Sequence, residues 1–202
     1  MMKLRISSKT RAETDSSTAI AKIFQQLKES LIPIAAVTII WIALWKMNYY
    51  LSPRLVSNDF IYWIFLPSGL RLIAVLLLGF DAVIGLFIGR IITSEDLPDI
   101  PSAICISLIS SIAPYVAYLI AKYKFDLKKS LTDMTGKQLL LMTLIFAFIN
   151  SILHNAYFYI TKLEYDFWKD IFAMFIGDFT GSLLVIFICN ALILLAIKNK
   201  SN

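Results

Sequence analysis

Arg71 and Asp178 lie where an apolar chain should carry no charge. Arg71 is eleven residues into an apolar run, just after Pro67-Ser68-Gly69. Asp178 lies in another run, within Gly177-Asp178-Phe179-Thr180-Gly181. A charge at the bilayer centre costs roughly 2.5–3.5 kcal/mol on insertion scales, so such residues turn toward a bundle interior and find partners. Asp178 is the one carboxylate deep in any apolar run, and Arg71 and Arg90 are its natural counter-ions. A third run carries Asn150, Ser151, His154 and Asn155. Asn150 and His154 are four apart and share one helix face. The candidate cluster is Ser68, Arg71, Arg90, Asn150, His154, Asn155, Asp178 and Thr180. Three chemistries fit it. The residues can be polar glue between helices. They can line a cavity open to the outside that takes a small ligand or ion, or they can relay protons through Asp178 and His154.

Other chemistries lack their parts. One histidine excludes a His-rich metal site. No CxxC pair, phosphate-binding glycine loop, GxSxG elbow or HExxH helix occurs. Cys105 and Cys189 both lie in apolar runs and read as inert buried thiols. Without a nucleophile–base pair the chain is not expected to be an enzyme, and no cofactor or metal is expected.

The elements that must position the cluster are membrane helices. Of 202 residues, 58% are hydrophobic and 16% charged, too little polar surface to wrap a soluble core. The mean hydropathy is +0.74. The net charge of +5 sits in short stretches between apolar runs, which fits membrane topology rather than nucleic-acid binding. About 20 apolar residues span a bilayer. Five runs qualify: 31–51, 60–80, 101–121, 138–161 and 171–197. A sixth, 80–97, is weaker, because Arg90 interrupts it and Asp81 and Glu95 bound it.

Charge placement argues that the sixth run crosses. With six spans and the N-terminus inside, the inner segments hold thirteen of the nineteen Lys and Arg residues and the outer loops hold three. Without it, the basic stretch 122–137 and the C-terminal lysines would lie outside, against the positive-inside rule. Trp45, Tyr49, Tyr50, Tyr62, Trp63, Tyr157, Tyr159, Tyr165 and Trp168 gather at the outer ends, where amphipathic rings prefer the headgroups. The expected fold is therefore an all-α polytopic membrane helix bundle of about six transmembrane helices, both termini cytoplasmic, in the bacterial cytoplasmic (inner) membrane.

Residues 1–29 form a polar cytoplasmic segment, and 30–198 form a single transmembrane domain. Residues 1–15 read as disordered. Ile20, Ile23, Phe24, Leu27 and Leu31 recur at helical spacing, either as an amphipathic helix on the cytoplasmic face or as an extension of the first span. Membrane lipids are the expected partners, with the 122–137 loop available to anionic lipid or a cytoplasmic protein.

Two segments resemble a known family. Phe65-Leu66-Pro67-Ser68-Gly69-Leu70, continuing through Leu76-Leu77-Leu78-Gly79-Phe80 to Gly85-Leu86-Phe87-Ile88-Gly89, resembles the first signature of the MASE1 family. Gly177-Asp178 with Gly181-Ser182-Leu183-Leu184-Val185 resembles its second. The resemblance implies an integral membrane sensory domain, a kind usually fused to histidine kinases or diguanylate cyclases. This chain departs from the family pattern at Ile84-Gly85, where a Trp-Pro is usual, and at Arg71, where an apolar residue is usual. The leading expectation is a stand-alone sensory or ligand-binding module that acts through a partner protein on an unidentified small ligand. A small transporter or transport substrate-binding subunit is the second, and a structural subunit of a membrane complex the third.

Overall fold

The computed structural model describes residues 2–51, 56–58, 61–95, 97–125, 134–162 and 166–200. In the first helix, side chains are described at Gln25 and from Lys28 onward. The Ile20–Leu27 stripe, Arg54, Asp96, Tyr165 and the loop residues Asp126, Lys128, Lys129 and Asp133 lie outside what is described.

The chain folds as an all-α bundle: α1 (Met2–Leu51), α2 (Pro67–Leu78), α3 (Phe80–Ile92), α4 (Ile100–Phe125), α5 (Gly136–Thr161) and α6 (Phe167–Lys200). Four helices are long and apolar enough to cross a membrane, over Lys28–Leu51, Ile100–Lys124, Gly136–Thr161 and Phe167–Asn199. Their outward faces carry large apolar side chains such as Ile39, Phe148, Phe187 and Leu192, all more than 40% exposed, as lipid contact demands. The polar N-terminal segment continues the first span as one helix from Met2, including residues expected to be disordered. Once the apolar span has nucleated a helix, each added residue gains a hydrogen bond without a new nucleation cost.

The second and third expected spans differ from their forecast. The 60–80 run is not one helix. A short antiparallel ribbon, β1 (Val56–Asn58) and β2 (Ile61–Tyr62), precedes it, and the helix starts only at Pro67. Pro67 has no N–H, and inside a longer helix its ring would clash with the carbonyl four residues earlier, at Trp63. It suits the first helical position instead. The third run yields a helix only to Ile92, not to 97. At 1.5 Å per residue α2 and α3 are about 18 and 20 Å long, short of a hydrocarbon core of about 30 Å. Gly79 joins them with φ +59°, a backbone setting glycine adopts without strain, and its N–H caps Val75 at 2.9 Å.

Close approaches at glycine fix the helix directions. Gly85 lies against Ile34 and Val37, and Gly89 against Trp41, so α3 runs parallel to α1. Gly177 meets Tyr62, Gly181 meets Phe65, and Val185 meets Gly69, so the stretch 62–69 runs parallel to α6. Helices α4 and α5 are antiparallel, with Ser102 bonded to Tyr157 at one end and Ala121 clustered with Met142 at the other. Helices α5 and α6 are also antiparallel, since Tyr159 meets Phe167 edge-to-face while Asn150 reaches Asp178. The chain thus reverses direction at every connection. The distal end, where α1 finishes and α4 and α6 begin, gathers the ribbon and the loop 93–99.

Helix α2 is central and is touched by α1, α3, α4 and α6. Val37, Trp41, Ala74, Val75, Ala82, Val83 and Leu86 fill the space between α1, α2 and α3. Leu72 packs on the other side against Ala113, Ala117 and Ala121 of α4 and Met142 and Phe146 of α5. The alanine stripe repeats every fourth residue and lets α4 approach closely. Asp99 starts α4 by accepting the Ser102 N–H at 2.7 Å, which holds its carboxyl below the ordinary range.

Candidate functional site

The central helix carries Arg71 into the middle of the bundle, 1% exposed. A buried guanidinium survives only with partners, and three other helices supply them. Nη2 donates to Asp178 Oδ1 on α6 at 2.5 Å. Nη1 donates to Asn150 Oδ1 on α5 at 3.0 Å and to Ser110 Oγ on α4 at 3.2 Å. Asn150 closes the circuit, its amide donating to the other carboxylate oxygen of Asp178 at 2.5 Å. Three aromatic rings, Phe146, Phe65 and Trp41, lie 4.9–5.9 Å from the guanidinium carbon and add cation–π attraction. Both carboxylate oxygens are therefore occupied, while Arg71 Nε has no hydrogen-bond partner among the described residues.

A cavity of about 50 Å³ adjoins this network. Arg71, Arg90, Asn150, His154 and Asp178 of the expected cluster line it, joined by Ser110. Its apolar wall includes Trp41, Trp45, Phe65, Phe158 and Met174. His154 Nδ1 lies 3.0 Å from the Asn150 carbonyl oxygen, one turn back on its own helix, which fixes the ring's orientation. Arg90 donates to the Thr93 carbonyl at 2.8 Å and lies 4.5 Å over the Trp45 ring. Polar groups thus converge from α2, α3, α4, α5 and α6 on one small chamber.

Ser68, Asn155 and Thr180 are not among the lining residues. Ser68 and Thr180 serve the non-helical backbone ahead of Pro67, which packs among apolar helices and needs its polar groups satisfied. Ser68 Oγ donates to the Phe65 and Asp178 carbonyls at 2.6 and 2.8 Å, and receives Ser182 at 3.0 Å. Thr180 donates to the Trp63 carbonyl at 3.3 Å and to its own helix at Ile176 at 2.7 Å. The Phe65 N–H donates to the Gly177 carbonyl at 3.0 Å, and the Leu66 N–H to Asn48 Oδ1 on α1 at 2.9 Å. Asn155 donates back to Ser151 at 2.8 Å and approaches Met174 sulfur at 3.8 Å. Gly177 and Gly181 explain the Gly-x-x-x-Gly spacing: added Cβ atoms would meet the carbonyl oxygens of Tyr62 and Phe65. The pair makes a groove for the non-helical backbone of residues 62–65, where sequence spacing alone reads as helix packing.

Against known proteins, the chain matches no family model, no curated protein and no solved structure. The site therefore stands on its geometry. Among the described residues no group of three or more His, Cys, Asp or Glu side chains could hold a metal ion. Both cysteines are free thiols. Sequence reading missed Ser110 and Asn48. Serine is common in membrane helices and carries no charge to flag it, and Asn48 lies among headgroup-level aromatics where polarity costs little.

Proposed function

We propose that this chain is a six-pass protein of the bacterial cytoplasmic membrane and a MASE1-like sensory module. It binds a small polar ligand in the chamber beside Arg71 and Asp178, has no catalytic activity of its own, and signals through a partner protein. The convergence of buried polar side chains from five helices on one cavity carries this reading. Glue between two helices needs no chamber, and it does not need the Arg71 Nε donor left for a guest's acceptor. Six passes follow if α2 and α3 complete their crossings with the non-helical residues 61–66 and the described residues that follow Ile92. The alternation of directions and the placement of Lys and Arg support that. The two segments that resemble the family also pack against each other, Phe65 on Gly177 and Gly69 on Val185.

A panel of amino acids, short carboxylates and inorganic ions should contain at least one compound that raises the melting temperature of the purified protein by several degrees. The triple variant Arg71→Met/Asn150→Leu/Asp178→Leu should show no such shift. No shift with any compound, or an equal shift in the triple variant, rejects the chamber as the binding site.

A transporter is the second reading. The broken stretch before Pro67 favours it, because unwound backbone beside a central cavity is how many transporters build a substrate site. Proteoliposomes loaded with the stabilising compound separate the two: a sensor retains it and a transporter releases it.

A further inference from the structure

A second cavity, of about 470 Å³, lies at the distal end between α1, the ribbon and the end of α3. Its volume is in the range of small-molecule sites. Trp45 and Tyr62 belong to its wall and also to that of the inner chamber, so the two are neighbours. Lys46 and Glu95 line it from opposite sides, one on α1 and one in the loop after α3. Both are exposed, and neither makes an ion pair or hydrogen bond among the described residues. Tyr49 and Tyr50, 63% and 75% exposed, add two rings to those of Trp45 and Tyr62, and Ile92, 52% exposed, gives an apolar edge.

These groups divide the work of holding a zwitterion. A carboxylate beside aromatic faces attracts an ammonium group. A lysine ammonium attracts phosphate as a compact point charge. On α1, which forms part of the wall, Ile39 and Met47 are exposed as well. The ring-rich end of a span is the headgroup level. We propose that this cavity binds the headgroup of a zwitterionic aminophospholipid from the outer leaflet, with phosphate at Lys46, ammonium at Glu95 and the rings, and acyl chains along α1. Such a lipid would close the outer side of the chamber at Trp45 and Tyr62. The site shares no polar residue with the Arg71–Asp178 network, so it stands or falls separately from the ligand reading above.

Native mass spectrometry of the full chain, released from detergent with titrated lipid, tests this. Phosphatidylethanolamine should reach half occupancy at a concentration about tenfold lower than phosphatidylglycerol, which lacks the ammonium. Glu95→Gln should erase that preference, and Lys46→Gln should weaken both lipids. Soluble phosphoethanolamine should compete only weakly, since it lacks the tails. Equal occupancy by the two lipids in the wild-type protein overturns the proposal whatever the variants do. An unchanged preference in Glu95→Gln, at its wild-type melting temperature, also overturns it. Competition by phosphoethanolamine as strong as by the lipid overturns the lipid assignment in favour of a soluble zwitterion.

Discussion

Arg71, Asp178 and Asn150 behave as one unit, because each is hydrogen-bonded to the other two. Removing one member leaves a buried charge or amide without a partner. Asp178→Ala alone should therefore cost about 3–5 kcal/mol of stability. The triple variant Arg71→Met/Asn150→Leu/Asp178→Leu removes all three together and should regain most of that loss, with Ser110 free to bond back to its own helix. Chemical unfolding in detergent measures both. A triple variant no more stable than Asp178→Ala would show that the network is not a closed unit. The sequence marks Arg71 and Asp178 plainly, because charge in an apolar run is costly wherever it points. It does not separate the residues that line the chamber from Ser68, Asn155 and Thr180. Those are equally polar and equally deep, and differ only in the direction they face.

The element that departs most from a continuous helix is the second. Pro67 delays its start, and residues 62–66 pack against α6 as irregular, turning backbone. Two glycines make that possible, and Asn48, Ser68, Thr180 and Gly177 satisfy its backbone. Gly181→Ala would push a Cβ into the Phe65 carbonyl, with Ser68 Oγ at 2.9 Å, and backbone has little room to yield. A loss of about 2 kcal/mol is expected, in line with overpacked cores. Gly136→Ala, whose Cβ would meet nothing within 4 Å, is the matched control and should melt as the wild type does. If Gly181→Ala also melts at the wild-type temperature, the backbone at Phe65 is not seated on α6 as described. The break at Pro67 is readable in the sequence. The groove that receives the broken end is not, since Gly-x-x-x-Gly serves helix contacts equally well.

For the molecule as a whole, the proposed six-pass topology places Glu95 and Lys162 outside and Lys124 and Lys198 inside. With Cys105 and Cys189 changed to serine, a single cysteine at Glu95 or Lys162 should react with a membrane-impermeant maleimide in intact spheroplasts. A cysteine at Lys124 or Lys198 should react only after permeabilisation. Those four positions keep their sides whether or not the short pair crosses, so the deciding site is the turn between the two helices: Asp81→Cys should react only after permeabilisation, whereas reaction from neither side would leave a re-entrant pair of α2 and α3. Their lengths of about 18 and 20 Å make that the alternative worth testing.

Composition and hydropathy alone determined that this is a helical membrane protein, because a bilayer admits a backbone only when its own hydrogen bonds are closed, and long apolar runs close them as helices. Charge cost likewise marked Arg71 and Asp178 without reference to any neighbour. Tertiary structure decided which helix lies at the centre, that the second apolar run becomes helix only from Pro67, and which polar side chains meet the chamber. These are matters of direction and of contact between segments more than a hundred residues apart, such as Ser68 with Asp178. Hydropathy along a chain records how far each residue tolerates lipid, whereas pairing depends on where the folded backbone aims it.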